Sequence, residues 1–440
     1  AEFWGLQMKQ ELIGDRARAL GLRTLKRAAG AVTKLVPISN PVLLVGPGSA
    51  ARLGRAVADF GHRHVLLVTD AVVMELGLTA SLTDALAAAG VQVTVFAAVT
   101  ADAPIAVIEQ GLALYTSHAC EAIVAFGGGS VMDAAKVIGL AAANGKPPRQ
   151  LVGYFKGRHG PAPIYAVPTT AGTGSEVTVA AIISDPEAGT KMMVADSRLV
   201  PEMAALDPTL MTGLPPAVTA ATGMDALTHA VEACISGWAN DTTDRWALAA
   251  AGMIWEHLPR AWSNGNDLHS REQMALASTY AGLAFTRANV GNVHAIAHQL
   301  GGRYHVPHGL ANAVMLPSVL RFSLPDAAPR LARLARRVGL AGRGDTALAK
   351  KFVDGVQALN DALQIPRTLE ALREEDIPAL ATAACHEADF NYPVPRRMTQ
   401  ADAEALLRQV LPAAAPAAKA AKAAKPRNQP RPQRRAAASS

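Results

Sequence analysis

The chain has 440 residues, of which 50% are hydrophobic and 18% are charged. This length allows two or three domains with cores of their own, and the composition is typical of a compact α/β enzyme rather than a disordered polymer. No run of about 18 residues is apolar enough to predict a membrane span, and Cys120, Cys234 and Cys385 are too scattered for a disulfide framework. We therefore expect a soluble, cytoplasmic protein.

The formal net charge of +6 is concentrated at the C-terminus. Seven basic and no acidic residues lie in 412–440, so the rest of the chain carries −1: Lys419, Lys422, Lys425, Arg427, Arg431, Arg434 and Arg435. This Ala, Lys and Pro mixture predicts a disordered tail. Because no aromatic residue interleaves the charges, nucleic acid is not the favoured partner. Binding of nucleic acid or another surface through the tail is the alternative of a different class.

Residues 1–40 form a separate N-terminal extension. Apolar and basic residues alternate with helical periodicity over 11–35, which predicts an amphipathic helix. Such a helix would pack its apolar side on the body of the protein or on another subunit. A membrane-surface helix or a targeting segment is the alternative.

Short apolar runs recur from residue 41 onward, each followed by turn residues and a helical pattern. Runs of this kind are typical of parallel strands buried on both faces; they cover 42–45, 65–69, 91–95, 123–126 and 164–167. After about residue 215 helical patterns dominate, as in 217–235 and 245–258. The sequence thus predicts an α/β dinucleotide-binding domain over 41–214 and an all-helical domain over 215–411, with a cleft between them.

Two strand-to-turn junctions are candidates for binding a dinucleotide. The first, GGGS at 127–130, lets the backbone approach a ligand and precedes a helix whose N-terminus suits a pyrophosphate, although a plain tight turn would also explain it. The second, PTTAGTGSE at 168–176, offers several hydroxyl donors. A helix capping box formed by Thr173 and Glu176 is the structural alternative there.

Asp70 follows the second predicted strand. An acid at this place can accept hydrogen bonds from a ribose 2′-hydroxyl and repel a 2′-phosphate, which favours NAD over NADP. A helix N-cap is the commoner role of such a residue.

Histidines with helical spacing cluster in the predicted all-helical domain. Asp225 and His229 are four residues apart and so project from one helix face, His294 and His298 repeat the spacing, and His308 follows in a Pro-His-Gly turn. One carboxylate and three imidazoles could surround a divalent metal with a position left open for substrate. A lone histidine would more often be a satisfied core residue.

Several of these segments resemble those of one family, the iron-containing (group III) alcohol dehydrogenases. The resemblance is carried by GMDALTHAVE at 223–232, HAIAHQLGG at 294–302 and HG at 308–309, and by the two cofactor segments at 127–136 and 168–176 in the same order. It covers about residues 41–410. It implies a dehydroquinate synthase-like fold: an N-terminal α/β dinucleotide-binding domain and an all-α metal-binding domain, with NAD and Fe²⁺, or Zn²⁺, as cofactors.

The resemblance also implies roles for single residues. The metal ligands fall on Asp225, His229, His294 and His308, while His298 matches a histidine near the substrate and is the candidate catalytic residue. The expected cofactor-binding residues are Asp70, Gly128, Gly129, Ser130, Thr169, Thr170, Thr173, Lys191 and, with the weakest match, Leu210.

The expected reaction is reversible hydride transfer between a primary alcohol or its aldehyde and NAD(H). A maleylacetate reductase-like or glycerol dehydrogenase-like enzyme on the same scaffold is the alternative. We expect a homodimer or larger homo-oligomer, since symmetric assemblies are common.

Overall fold

A computed structural model describes residues 36–187 and 190–412. The predicted amphipathic helix over 11–35 and the predicted tail after residue 412 lie outside these described residues.

A six-stranded, fully parallel sheet organises the first half of the chain, with the strand order β1-β9-β6-β4-β2-β3. Its strands are β1 Val42–Val45, β2 His64–Val68, β3 Gln92–Phe96, β4 Ala122–Gly127, β6 Ile164–Pro168 and β9 Met203–Leu206. Five of these overlap the five predicted runs. The sixth, β9, has the sequence MAAL and contains no β-branched residue, so nothing in its composition predicts a strand.

Helices cover both faces of this sheet, as the continuous apolar runs predict. They are α1 Ser49–Asp59, α2 Ala71–Glu75, α3 Ala80–Ala88, α4 Ile105–Ser117 and α5 Gly129–Asn144. Alternate residues of β2 enter two different cores: Leu66 and Val68 pack with α4 and α5, whereas Val65 and Leu67 pack with α1 and α3. Every residue of β4 is buried, which is why its sequence lacks polar alternation.

A second, three-stranded sheet follows in the same half of the chain and was not predicted. It contains β5 Gly153–Tyr154, β7 Ala180–Asp185 and β8 Thr190–Ala195, in the order β5-β8-β7. The pair of β7 and β8 is antiparallel. Lys191, a predicted cofactor-binding residue, lies on β8.

The second half of the chain is helical, as expected. Its helices are α6 Pro216–Ile235, α7 Asp241–Ser263, α8 Leu268–Ala288, α9 Asn292–Tyr304, α10 His308–Arg337, α11 Asp345–Ala362, α12 Ile377–Asn391 and α13 Gln400–Arg408. Helix α6 lies at the centre, with all of its residues from Gly223 onward buried. Within the described ranges, no helix combines the length and hydropathy that crossing a bilayer requires. All three cysteines are free thiols.

A buried lysine ties helix α5 to the end of the second predicted cofactor segment. Lys136, on α5, is 0% exposed, and its Nζ donates to Ser175 Oγ at 3.1 Å, to the Thr178 carbonyl at 2.9 Å and to the Ala180 carbonyl at 3.0 Å. Asp133, one turn earlier, accepts from Ser175 Oγ at 2.8 Å. A buried charge is tolerated only when its hydrogen bonds are satisfied, so this network holds the segment at a fixed position above α5.

Candidate active site

Three helices bring the four predicted metal ligands to one point. Asp225 and His229 lie one turn apart on α6, His294 lies in the first turn of α9, and His308 is the first residue of α10. One ligand atom from each of these side chains lies within 4.8 Å of all the others. Side chains separated by up to 83 positions in the sequence therefore share a single site.

The distances from Asp225 to the three histidines suit a single small cation. Asp225 Oδ1 lies 3.5 Å from His308 Nε2 and 4.0 Å from His294 Nε2, and Asp225 Oδ2 lies 4.0 Å from His229 Nδ1. Two atoms bound to one ion at about 2.1 Å can be at most about 4.2 Å apart. The three separations fall within that limit.

Burial keeps the three imidazoles in the form that can coordinate a metal. Desolvation lowers the pKa of His229 and lowers the pKa of His294 well below its usual value. It also lowers the pKa of His308 to about 4, although 34% of that side chain remains exposed. All three rings are therefore neutral at pH 7, with a lone pair available to a metal.

A second carboxylate fixes the orientation of His294. Glu232, on α6, accepts from His294 Nδ1 at 2.6 Å and from the backbone N–H groups of Gly291 at 2.8 Å and Val293 at 2.7 Å. Burial raises the pKa of this carboxyl to about 7. Because Nδ1 carries the proton in this hydrogen bond, the Nε2 lone pair of His294 points at the cluster.

Unsatisfied polar atoms at the cluster provide a test of whether a metal fits. The Nδ1 of His229 is buried and has no hydrogen-bond partner among the described residues. Asn312, one turn after His308, places its Nδ2 2.7 Å from Asp225 Oδ1, 3.2 Å from His294 Nε2 and 3.1 Å from His308 Nε2. An amide nitrogen has only two hydrogens for these three acceptors. The excess of acceptors in a buried site fits a bound cation.

His298 lies beside the cluster but outside the set of four. Its ring stacks on that of His308 with centroids 5.3 Å apart and 19° between the planes. Its Nδ1 donates to Glu387 Oε1 at 2.6 Å. The side chain is 23% exposed and lines an open cleft of about 1740 Å³ that also contacts Lys191. His298 therefore lines the cleft and is not one of the four clustered side chains.

The predicted cofactor residues lie at one edge of the main sheet. Asp70 follows β2, Gly128 and Ser130 follow β4, Thr169 follows β6, and Leu210 follows β9. Since β9, β6, β4 and β2 are adjacent in the sheet, all these positions share its carboxyl-terminal edge. Ligands of open α/β sheets bind at that edge.

The two glycine-containing segments contact each other there. A Cβ at Gly129 would lie 2.7 Å from Thr173 Cγ2, and one at Gly128 would lie 3.7 Å from Thr170 Oγ1. The Thr169 N–H donates to the Gly127 carbonyl at 3.0 Å. The expected binding residues of the two segments therefore form one surface.

Lys191 joins this surface through an acid that the sequence did not single out. Its Nζ donates to Asp102 Oδ1 at 2.7 Å, and the Asp102 N–H donates to Ser130 Oγ at 3.2 Å. Leu210, by contrast, is 8% exposed and packs in the core beneath α1.

One structural alternative for these residues is wrong and another is confirmed. Thr173 and Glu176 form no capping box, because Ser175–Val177 is only a 3₁₀ turn and Glu176 Oε1 instead accepts from Thr279 Oγ1 at 2.7 Å. Gly174 has φ 62°, in the left-handed region, so a right-handed helix cannot run on from Thr173. Asp70 does cap α2, accepting from the Val73 N–H at 2.9 Å.

Family comparison agrees with this geometry. Residues 40–208 match the family described as "Iron-containing alcohol dehydrogenase", and residues 219–411 match the C-terminal domain of the same family. The chain belongs to the iron-containing alcohol dehydrogenase family. Members of this family bind iron and depend on NAD, and the chain is an oxidoreductase of alcohols and aldehydes.

The chain aligns with nearly the whole length of individual relatives. An NAD-dependent methanol dehydrogenase of Bacillus methanolicus is 36% identical over 84% of this chain and 98% of its own. A 1-propanol dehydrogenase of Salmonella typhimurium is 40% identical over 78% of this chain and 90% of its own. Among solved structures, a 1,3-propanediol oxidoreductase is 37% identical with a TM-score of 0.82, covering 86% of this chain and 100% of that one.

Sequence reasoning missed several residues at this family's site. Glu232 follows His229 by three positions and Asn312 follows His308 by four, so helical periodicity alone could have placed both beside the cluster. Glu387 had no such signal, because only the packing of α12 against α9 brings it to His298.

Gly309 allows the two helices that carry Asp225 and His308 to approach closely. A Cβ at this position would lie 2.4 Å from the Ala221 carbonyl oxygen and 3.3 Å from Asp225 Cβ. Backbone atoms cannot move aside as a flexible side chain can, so Gly309→Ala should displace the start of α10 and with it His308.

We expect Gly309→Ala to weaken Fe²⁺ binding by at least about 10-fold, as a misplaced ligand does, in calorimetric titrations of the metal-free protein. Gly302→Ala on α9 is the matched control, because a Cβ there meets nothing within 4 Å. Wild-type affinity in the Gly309 variant would contradict the assigned packing constraint.

Proposed function

We propose that the chain catalyses reversible hydride transfer between short primary alcohols or their aldehydes and NAD(H), with Asp225, His229, His294 and His308 as ligands of one Fe²⁺, or alternatively Zn²⁺. The convergence of these four side chains within 4.8 Å carries the proposal. The relatives named for methanol, 1-propanol and 1,3-propanediol support the choice of short primary alcohols.

The metal, the cofactor and the protein side chains each have a separate role in the proposed reaction. When bound, the metal supplies Lewis acidity toward the substrate oxygen, and NAD accepts or returns the hydride. His298 takes the hydroxyl proton at Nε2 and passes it to water in the cleft, a role supported by its partial exposure there. Glu232 holds the His294 ring in its coordinating orientation.

The surface at the carboxyl edge of the main sheet binds the dinucleotide in this proposal. Its members are Asp70, Gly128, Gly129, Ser130, Thr169, Thr170, Thr173, Lys191 and Leu210. The N-terminus of α5 begins at Gly129 and suits the pyrophosphate. Lys191 serves as a positive anchor for the ribose or a phosphate, with Asp102 holding its ammonium. Leu210, being buried, would contribute through its backbone.

The domain boundaries, the terminal segments, the location and the oligomeric state are proposals as well. We place the two domains at 41–214 and 215–411, supported by the change from strands to helices between β9 and α6. The segments 1–40 and 412–440 are a proposed extension and a proposed tail. A cytoplasmic location is supported by the free thiols, and a homo-oligomer by the frequency of symmetric assemblies.

The Fe²⁺-loaded protein should reduce propanal with NADH. Removing the metal with a chelator, or removing a ligand in His294→Ala, should lower kcat by at least about 100-fold, because the donor set is then incomplete. His118→Ala, at an exposed histidine just after α4, is the control. Metal content, aldehyde reduction and thermal unfolding should be measured on the same samples. Full turnover after verified metal loss would refute the proposal.

The choice of NAD over NADP should depend on the charge of Asp70. Asp70→Ser keeps an oxygen that can cap α2 but removes the carboxylate that repels a 2′-phosphate. We expect kcat/KM for NADPH to rise about 10-fold or more, with thermal stability nearly unchanged. Asp59→Ser, at an exposed position on α1, should leave the ratio between the two cofactors as it is. An unaltered ratio in the Asp70 variant would overturn this assignment.

A further inference from the structure

A carboxylate from a distant helix holds His298. Glu387 lies on α12, and its Oε1 accepts from His298 Nδ1 at 2.6 Å. The two residues are 89 positions apart, so this contact is a product of tertiary packing between α9 and α12. It is separate from the four side chains of the proposed metal centre.

Two more donors fix the carboxylate itself. Gln299 Nε2 donates to Glu387 Oε2 at 2.7 Å, and the Tyr392 hydroxyl donates to Glu387 Oε1 at 2.5 Å. Both oxygens of Glu387 thus accept hydrogen bonds. An ionised carboxylate, which has acceptors and no donor, suits this arrangement best. The Glu387 side chain is 21% exposed, which limits competition from water.

The consequence for His298 is a fixed ring with a defined tautomer. Its Nδ1–H is occupied by Glu387 Oε1, and one face of the ring stacks on His308 at 5.3 Å between centroids. A histidine whose Nδ1 carries the proton has its lone pair on Nε2. Because His298, Glu387 and Tyr392 all line the cleft, this lone pair is held where a substrate can reach it.

We propose that Glu387 is a positioning residue for the dehydrogenase reaction, holding His298 with Nε2 free to take the substrate proton, and that Gln299 and Tyr392 hold Glu387 in turn. The inference rests on the proton-transfer role proposed for His298. In alcohol oxidation the hydroxyl proton moves to His298 Nε2 and then to water in the cleft. The Nδ1 proton stays in its hydrogen bond to Glu387, and the hydride goes to NAD⁺.

A double-mutant cycle tests whether Glu387 acts through His298. We expect His298→Ala to lower kcat about 100-fold or more and Glu387→Ala to lower it about 10- to 100-fold. The double variant should be no slower than His298→Ala alone, because interaction through a shared partner makes effects non-additive. The KM for alcohol, the Kd for NADH, the iron content and the midpoint of thermal unfolding should all stay close to wild type.

Glu387→Gln keeps the volume of the side chain and guards against a folding defect in the alanine variant. Its amide has a single acceptor oxygen for the three donors around it, so the preference for the Nδ1–H tautomer weakens and kcat should still fall about 10-fold or more. Glu375→Gln, at an exposed site just before α12, is the matched control and should keep wild-type kcat. If Glu387→Ala does not fold, Glu387→Gln replaces it in the cycle.

The outcomes separate the two ideas. Wild-type kcat in His298→Ala would contradict the proton-transfer role proposed for that residue, and with it the positioning role of Glu387. A slow His298→Ala enzyme with additive losses in the double variant would overturn the inference alone. Loss of iron or of NADH binding in Glu387→Gln would also overturn it, because it would make Glu387 a purely structural residue.

Discussion

A carboxylate enclosed among neutral imidazoles is the constraint on which the site depends. Asp225 is 3% exposed, and burial lowers the pKa of the histidines around it, so they do not supply positive charge at pH 7. A buried carboxylate without a compensating cation is costly. Asn312 contacts three of the four side chains but cannot satisfy all of their acceptors. A divalent ion resolves this imbalance, which is why the cluster fits the family's iron.

The fold keeps this centre next to the cofactor surface through a few close contacts. Gly172, in the segment that also carries Thr173, packs against α6: a Cβ at this position would lie 2.8 Å from Thr222 Cβ. In the same segment Gly174 packs directly against Gly282 of α8, where neither position has room for a side chain. Lys136 anchors the far end of the segment to helix α5. These contacts hold the candidate cofactor segment beside the helices that carry the four clustered side chains.

Much of this arrangement could be predicted from the sequence where one periodicity dominated. The parallel strands were visible because residues such as 123–126 are buried on both faces and so form continuous apolar runs. Strand β9 could not be predicted in this way, because its alanines lack the β-branched composition of a strand. The spacing of Thr173 and Glu176 fits a capping box, but the left-handed backbone of Gly174 between them prevents a helix from starting at Thr173.

The site residues likewise include some that spacing predicts and others that only tertiary packing determines. Helical spacing predicts that Asp225 and His229 share a face, and the same argument extends to Asn312 after His308. Spacing alone cannot distinguish His294 from His298, since both lie on α9 one turn apart. What separates them is the tertiary partner of each Nδ1: Glu232 on α6 for His294, and Glu387 on α12 for His298. Contacts between distant segments of this kind leave no local pattern in the chain.

X-ray absorption spectroscopy of the iron-loaded protein would identify the atoms that coordinate the metal. We expect one iron per chain, coordinated by nitrogen and oxygen and showing the multiple scattering of three imidazoles, because Asp225 and the three histidines converge on one point. Sulfur among the coordinating atoms, or the scattering of a single imidazole, would contradict the assignment of these four residues.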